Sequence, residues 1–517
     1  MKLIIIGAGP GGYETAVTAA QKGLEVTLVT AGPLGGTCLN EGCIPTKCFC
    51  HDAHLHELLN KRNGSPELDT DQSSDALAHV HAPASADVLA GMVARKDAVV
   101  EQLRSGVESL LRGVEIVHGI ARIADAHTVR VWPTEAESAA DMNLSPEFDS
   151  YDEYTADRII IATGSHPAWL NVPGAAETPG VLSSSDMLRL KEIPKRLTVI
   201  GGGVIGLEFA SIFASLGSKV TVIEYCRTIL PHFDTDLAKR LKQSLSKSGI
   251  TILTGTEVTG ITASEESSSE CVFPWESGAG ENPDGMDSAH RGKLIQIVTV
   301  RSGEKASAVV SDRVLMAVGR VPDIRVITGC KGIEADRKGI RVDDNMQTTL
   351  PGVYAIGDVN GRMMLAHAAT FQGKVALGHI LRDGMDGTEG TPQGGSHAIR
   401  LDIMPAAVFT VPEVAAVGLT EEDCKEKGIA FKALKSFYRA NGKALASESS
   451  EGYCKLIVAQ PDQPNLRPGQ ILGCHILGSS ASDLIGEVTA LMNFNATVAD
   501  LRNIIHPHPT LSEIFNI

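Results

Sequence analysis

No stretch of the chain reaches the roughly 18 consecutive apolar residues that a membrane-spanning helix requires, so no membrane span is expected. A basic excess is also missing. The 46 Lys and Arg against 62 Asp and Glu leave a formal charge of −16, which argues against a nucleic-acid or anionic-membrane surface as the main business of the protein. No charged leader or cleavage-site pattern precedes the apolar segment Leu3-Ile4-Ile5-Ile6, so nothing marks the protein for export and a cytoplasmic location is expected. Cysteine is sparse, ten in 517 residues. That is too few for a disulfide scaffold, so most should be reduced thiols, and any pair is catalytic sooner than structural. Cys48, Cys50, His51, His54 and His56 crowd one segment, with His79 and His81 beyond it. Cys50 and His54 stand at i, i+4, but no second Cys/His knuckle has zinc-type spacing, and no metal site is assigned.

At about 150 residues per domain, the 517 residues should hold about three domains. Glycine, at 52 residues, exceeds the usual share of about 7% and suggests close backbone approaches. Three segments, 63–88, 133–153 and 264–291, lack apolar periodicity and are rich in Ser, Pro, Ala, Asp and Glu. Together they carry 19 acids and one base, while the remainder has 45 bases and 43 acids. The net charge therefore belongs to these segments, which read as surface loops or insertions.

Leu3 to Ile6 has the all-apolar character of a buried parallel strand, and Gly7-Ala8-Gly9-Pro10-Gly11-Gly12 and a helix-like segment from Tyr13 to Lys22 follow it. Strand, glycine-rich turn and helix in that order form a dinucleotide cradle. Gly7 permits the tight turn, Gly9 lets a pyrophosphate approach, and Gly12 lets helix and strand pack, with helix amides facing the phosphates. A second strand, Glu25 to Val29, ends at Thr30, where an acid would normally hold an adenosine ribose. The pattern recurs: the strand Leu197 to Ile200, then Gly201-Gly202-Gly203-Val204-Ile205-Gly206, the helix Leu207 to Leu216 and the strand Lys219 to Ile223. This copy ends in Glu224, which is placed to accept from both ribose hydroxyls and to repel a 2′-phosphate, favouring NAD over NADP. Two such units suit a flavoprotein in which one binds FAD and the other a nicotinamide.

Between these units, Cys38 and Cys43 bracket four residues. Pro45 suits the first turn of a helix, so Cys43 should lie at a helix N-terminus, where the dipole and Lys47 favour a thiolate. Near the other end, His506-Pro507-His508-Pro509-Thr510-Leu511-Ser512-Glu513 brings two histidines close to a carboxylate. If Pro509 opens a helix, Glu513 falls one turn later, within reach of His508, and can fix its tautomer. Taken alone, such a pair also suits the surface or a metal. The segment Met92 to Arg112 reads as an amphipathic helix with apolar residues at 92, 99, 103, 107 and 110. Cys226, Cys271, Cys330, Cys424, Cys454 and Cys474 are scattered singly.

The segments GGTCLNEGCIPTK (Gly35 to Lys47), GGGVIGLEFA (Gly201 to Ala210), GVYAIGD (Gly352 to Asp358) and HPHPTLSE (His506 to Glu513) lie in the order and spacing of a known family. In them the chain resembles the FAD-dependent pyridine-nucleotide disulfide oxidoreductases, and within these the branch that acts on dihydrolipoamide. The resemblance spans nearly the whole chain outside the acidic segments, and the lack of a terminal Cys pair sets it apart from other branches. It implies an α/β fold with two Rossmann-like domains and a C-terminal α+β dimerisation domain. Residues 1–165 and 320–385 would form the FAD domain with its central extension, 166–319 the NAD domain and 397–517 the dimer interface, with a glycine-rich linker at 384–396.

By the same resemblance, Asp358 would bind the flavin ribitol, and Met364, Leu365, Ala366 and His367 would face the ring. The segment IIATGS, with Thr163, Gly164 and Ser165, matches the crossover near FAD, and Gly119 would lie by the adenine. Val258 and Gly319 would border NAD beside Gly201, Gly203, Val204 and Gly206. Lys47 and Glu208 resemble the ion pair beside the flavin, and the small Val204 would let nicotinamide stack. His508, oriented by Glu513, would act on the Cys38–Cys43 pair of the other subunit of a homodimer. The implied reaction oxidises dihydrolipoamide on the lipoyl domain of a 2-oxo acid dehydrogenase acyltransferase or a glycine-cleavage carrier protein and reduces NAD. Two rivals are a reductase running from NAD(P)H to another disulfide and a catalytically silent binding subunit of a 2-oxo acid dehydrogenase complex. Glu224 opposes an NADPH user, and intact Cys38, Cys43, His508 and Glu513 oppose the silent subunit.

Overall fold

The computed structural model describes residues 1–63, 85–133, 150–265, 294–383 and 399–517. Residues 64–84, 134–149 and 266–291 of the acidic segments, and with them His79, His81 and Cys271, lie outside this range, as does the whole of the expected linker. The described ends of those segments are regular: Ser85 opens the helix Ser85–Leu110, Asp152 opens the strand Asp152–Thr155, and Glu265 closes the strand Glu257–Glu265.

Two compact units divide the chain, one of residues 1–45, 95–167 and 320–402, the other of residues 46–94, 168–319 and 403–517. The first is built on a seven-stranded sheet. Val353–Ala355, Arg158–Ile161, Lys2–Ile6, Glu25–Thr30 and Glu115–Ile123 run parallel in that order. Thr128–Pro133 and Asp152–Thr155 extend the sheet as an antiparallel edge. Leu3, Ile4, Ile5 and Ile6 are all buried, which is why this strand reads as a continuous apolar run and not an alternating one. The helices Pro10–Gln21 and Ala366–Asp383 pack through small residues: a Cβ on Gly373 would meet Thr15 Oγ1 at 2.0 Å.

The second unit holds a five-stranded parallel sheet, ordered Thr251–Thr254, Lys219–Glu224, Arg196–Ile200, Arg313–Met316 and Val181–Leu182. It also holds a three-stranded antiparallel sheet and a five-stranded antiparallel sheet of residues 406–477, with the helix Ala481–Asn493 beside the latter. Residues 46–94 group here by burial: Phe49, Ala53, Leu89 and Met92 join the core around Leu207, Phe209 and Phe213.

The helix Ser85–Leu110 starts earlier than the sequence pattern suggests, and its buried row differs from the expected one. Leu89, Met92, Lys96, Val100, Val107 and Leu111 are buried, whereas Leu103 and Leu110 are exposed. The buried row keeps Met92 and Val107 but takes Val100 and Leu111 where the sequence reading takes 99 and 110, one residue further along the helix. The C-terminal helix likewise begins later than Pro509: Thr510 caps a 3-10 turn, Leu511–Phe515.

Candidate active site and dinucleotide cradles

The two glycine turns have nearly the same shape. Gly7 and Gly201 both take φ +110°, and a Cβ there would lie 2.2 Å from the Ala162 oxygen or 2.3 Å from the Ala317 oxygen. Gly12 and Gly206 lie over the turn itself, where a Cβ would meet the Gly7 or Gly201 oxygen at 1.8 or 2.0 Å. Gly9 and Gly203 instead cap their helices in extended conformation, and no atom lies within 4 Å of the Cβ each lacks. The first-turn amides therefore border open room beside a backbone with no side chain, which suits a dinucleotide pyrophosphate.

The ribose ends differ. Glu224 accepts from Gly202 N–H and Cys226 N–H, each at 2.6 Å, one on each carboxylate oxygen. Each oxygen keeps a further lone pair for a ribose hydroxyl. The Thr30 hydroxyl donates to the Gly32 carbonyl at 2.9 Å, so its one proton goes to its own loop.

Cys38 lies in the short helix Gly36–Asn40, and Cys43 opens the helix Cys43–Asn63. Gly42 makes the bend between them possible, because a Cβ there would sit 2.9 Å from the Thr37 oxygen and 3.4 Å from the Cys38 Cα. The chain thus turns back on itself and brings the two cysteines together as a close pair. Asn40 braces the bend by donating to the Leu34 and Gly36 carbonyls, and its oxygen accepts from Arg104. Burial, then Glu14 and Cys38, push the Tyr13 hydroxyl up to about 12, so it stays protonated near Cys38.

One turn into the redox helix, Lys47 meets both oxygens of buried Glu208, at 3.0 and 2.9 Å. Glu208 also accepts from Phe409 N–H, and the Lys47 ammonium sits 4.5 Å from the Phe409 ring centroid. In the first unit, the Ser165 hydroxyl donates to Asp358 at 2.5 Å, and Thr163 donates to the Asp323 carbonyl. Gly119 packs under the hairpin, where a Cβ would lie 2.6 Å from the Trp132 oxygen. Val258 is buried in its strand, and Gly319 takes φ +117°. Met364 and Leu365 run into the start of the helix Ala366–Asp383, with His367 in its first turn.

His508 Nδ1 lies 3.0 Å from Glu513 Oε1, with the imidazole 78% exposed. The other Glu513 oxygen accepts from Thr510 N–H, so the cap of the 3-10 turn holds the carboxylate in place. These two hydrogen bonds, that from His508 foremost, hold Glu513 below the usual carboxylate range.

Sequence reasoning missed three contacts. Arg320 Nε donates to Ser165 Oγ at 2.7 Å and lies 3.9 Å from Asp358. Burial lowers its pKa against the charges of Asp358, Cys43 and Glu41. His506 Nε2 lies 2.9 Å from Glu487. Cys454 and Cys474, read as isolated, place their buried sulfurs 3.8 Å apart. In each case the partners are distant in sequence, and only the glycine beside Arg320 hinted at a site. Among the described residues no three His, Cys, Asp or Glu side chains are placed to hold a metal ion, and no helix is long and apolar enough to cross a membrane.

Comparison with known proteins agrees with this geometry. Residues 1–373 match the family model described as pyridine nucleotide-disulphide oxidoreductase, and residues 404–517 match its dimerisation domain. The chain is 35% identical to dihydrolipoyl dehydrogenase of Geobacillus stearothermophilus over 99% of this chain and 94% of that one. It is also 35% identical to dihydrolipoyl dehydrogenase 3 of Pseudomonas putida, over 99% and 96%. Among solved structures, the HOCl-induced flavoprotein disulfide reductase RclA of Escherichia coli is similar with a TM-score of 0.74 at 28% identity, covering 100% of this chain and 98% of that one. The chain belongs to the pyridine nucleotide-disulphide oxidoreductases, flavoprotein enzymes that work with FAD and a nicotinamide dinucleotide, and it carries both the two Rossmann-like domains and the dimerisation domain of that family.

Proposed function

We propose that the protein oxidises dihydrolipoamide carried on a lipoyl domain to lipoamide, with NAD as the final electron acceptor. The exposed His508 imidazole, oriented through Nδ1 by Glu513, carries this reading, because a dithiol substrate needs a base and a nucleotide alone does not. The names of the relatives support the same substrate.

His508 takes a proton from one substrate thiol. The thiolate attacks Sγ of Cys38 in the Cys38–Cys43 disulfide, forming a mixed disulfide and releasing the Cys43 thiolate. The second substrate thiol, once deprotonated, attacks the substrate sulfur and expels Cys38, leaving lipoamide and a reduced pair. The helix N-terminus at Cys43 favours its thiolate. Bound FAD supplies the electron acceptor for the reduced pair and the hydride donor for NAD. Its pyrophosphate would rest on Gly7, Gly9 and Gly12 and its ribitol on Asp358, with Lys47 and Glu208 beside the ring. NAD would lie on Gly201, Gly203 and Gly206, and the Glu224 charge would disfavour a 2′-phosphate.

The partner is a lipoyl domain of a 2-oxo acid dehydrogenase acyltransferase or a glycine-cleavage carrier. The working unit is a homodimer in which His508 serves the partner's cysteine pair. A reducing, cytoplasmic compartment belongs to this reading, since ten cysteines are too few for a disulfide scaffold. Purified protein should be yellow and reduce NAD with dihydrolipoamide, and Cys43→Ser should abolish this turnover. Full turnover in Cys43→Ser sinks the mechanism, and NADH-driven reduction of another disulfide without dihydrolipoamide activity replaces the substrate.

A further inference from the structure

Asp358 stands in a 3-10 turn, Gly357–Asn360, that follows the strand Val353–Ala355, and the helix Ala366–Asp383 begins six residues after that turn. Gln372, on that helix, is 3% exposed. Its side chain receives two hydrogen bonds, from Gly357 N–H at 2.8 Å and from the Asn360 amide at 2.8 Å. Both partners only donate here, so the Gln372 atom that faces them must be the carbonyl oxygen. Asn360 also donates to the Ala355 carbonyl at 3.0 Å and accepts from Arg362 N–H at 3.0 Å, which ties both ends of the turn.

The same helix face touches the first glycine unit. A Cβ on Gly357 or on Gly11 would each come within 3.0 Å of Ala369 Cβ, and one on Gly373 would meet Thr15 Oγ1 at 2.0 Å. Three elements that face the flavin position therefore converge around one helix turn: the helix after Gly9, the turn of Asp358 and the segment Met364 to His367. Close packing fixes the first of these. The side-chain hydrogen bonds that join the Asp358 turn to this helix converge on one acceptor atom, the Gln372 oxygen.

We propose that Gln372 is a positioning residue of the flavin site, its side-chain oxygen fixing the Asp358 turn against the helix that presents residues 364–367 to the flavin. This rests on the reading of that cleft as the FAD site. Without the acceptor, Gly357 N–H is a buried donor with no partner. The turn is then expected to relax.

The test uses full-length protein stripped of FAD and titrated with it, followed by flavin fluorescence, together with the flavin midpoint potential of the reloaded protein. Gln372→Leu should weaken FAD binding about tenfold or more. Gln372→Glu keeps the acceptor and should bind FAD within about threefold of wild type. Its added negative charge near Asp358 should make the midpoint potential more negative. A folded Gln372→Leu that binds FAD like wild type overturns the proposal. So does a Gln372→Glu that loses FAD as badly as Leu, or one whose potential does not move. If the Leu variant does not fold, the Glu variant decides alone on the same two readings. Wild-type protein that takes up no FAD would instead refute the cofactor reading on which the proposal rests.

Discussion

Glu513 makes two contacts that a glutamine could only half replace. Its Oε2 accepts from Thr510 N–H, which an amide oxygen can also do, while its Oε1 carries the charge that holds His508. Glu513→Gln should therefore lower kcat with dihydrolipoamide by about one to two orders of magnitude, with KM for NAD little changed. The carboxylate's depressed pKa also gives a pH signature. Its stabilisation is present above the ordinary carboxylate value and is lost as the pH falls through the lower folded one. Any difference in melting temperature between wild type and Glu513→Gln should accordingly begin to shrink as the pH falls below the ordinary glutamate value of about 4.3 and vanish only below the lower folded one. A constant difference across that range would refute the assignment. His508 and Glu513 were legible in the sequence because their partners lie five residues apart. Arg320 with Ser165, 155 residues apart, and His506 with Glu487 were not, since nothing in a linear sequence marks which arginine or glutamate folds back. At the ribose ends, the sequence showed that Thr30 replaces an acid, and the structure shows where its hydroxyl proton goes.

At the scale of elements, the glycine turns separate into positions that make the fold and positions that make room for a ligand. Gly12 has no space for a Cβ and Gly9 has no neighbour to meet one. Gly12→Ala should lower the melting temperature of the FAD-free protein, because the helix must leave the strand. Gly9→Ala should leave that temperature within about 2 °C of wild type, as an unopposed surface change of under about 0.5 kcal/mol implies. It should still weaken FAD binding at least about tenfold by placing a methyl against the pyrophosphate. Equal losses of stability in both variants would show that the distinction is false. Strand, turn and helix were readable here because each residue type has one task. The helix Ser85–Leu110 was harder, since buried Lys96 interrupts its apolar row, its ammonium 2.6 Å from the Asp97 carboxylate.

Over the whole molecule, the feature least visible in sequence is a buried charge cluster in the second unit. Lys435, Lys455 and His475 lie side by side across three strands of the C-terminal sheet. Lys455 is 1% exposed and meets Asp234 at 2.6 Å, Glu421 at 2.8 Å and Asp236 at 3.4 Å. Burial opposes its charge, but hydrogen bonds from Lys455 to Asp234 and Glu421 outweigh this, and its pKa is raised. Lys455→Met would leave Asp234 buried without its cation and should cost about 3–5 kcal/mol by denaturant unfolding near neutral pH. The lysine's stabilisation is fully present below its ordinary pKa of about 10.4 and is lost as pH rises through the higher folded value. The gap between wild type and Lys455→Met should therefore close in strong alkali, and it should also narrow in acid as the carboxylates that hold the lysine are protonated; a gap that persists in strong alkali would contradict this account. The family fold was legible in motifs separated by long intervals, whereas this cluster joins residues from three strands and two helix starts with no motif at all.

The near identity of the two glycine turns reaches beyond their separate tasks. FAD and NAD share one adenosine diphosphate half, and the two turns repeat one geometry that suits it: φ +110° at the first glycine, open room at the second and a closed contact at the third. Neither turn can tell one coenzyme from the other, so selection falls to what each chemical tail meets beyond the phosphates and to Thr30 against Glu224 at the adenosine. On the proposed reading of the two turns, free adenosine diphosphate would compete with FAD in one half of the protein and with NAD in the other.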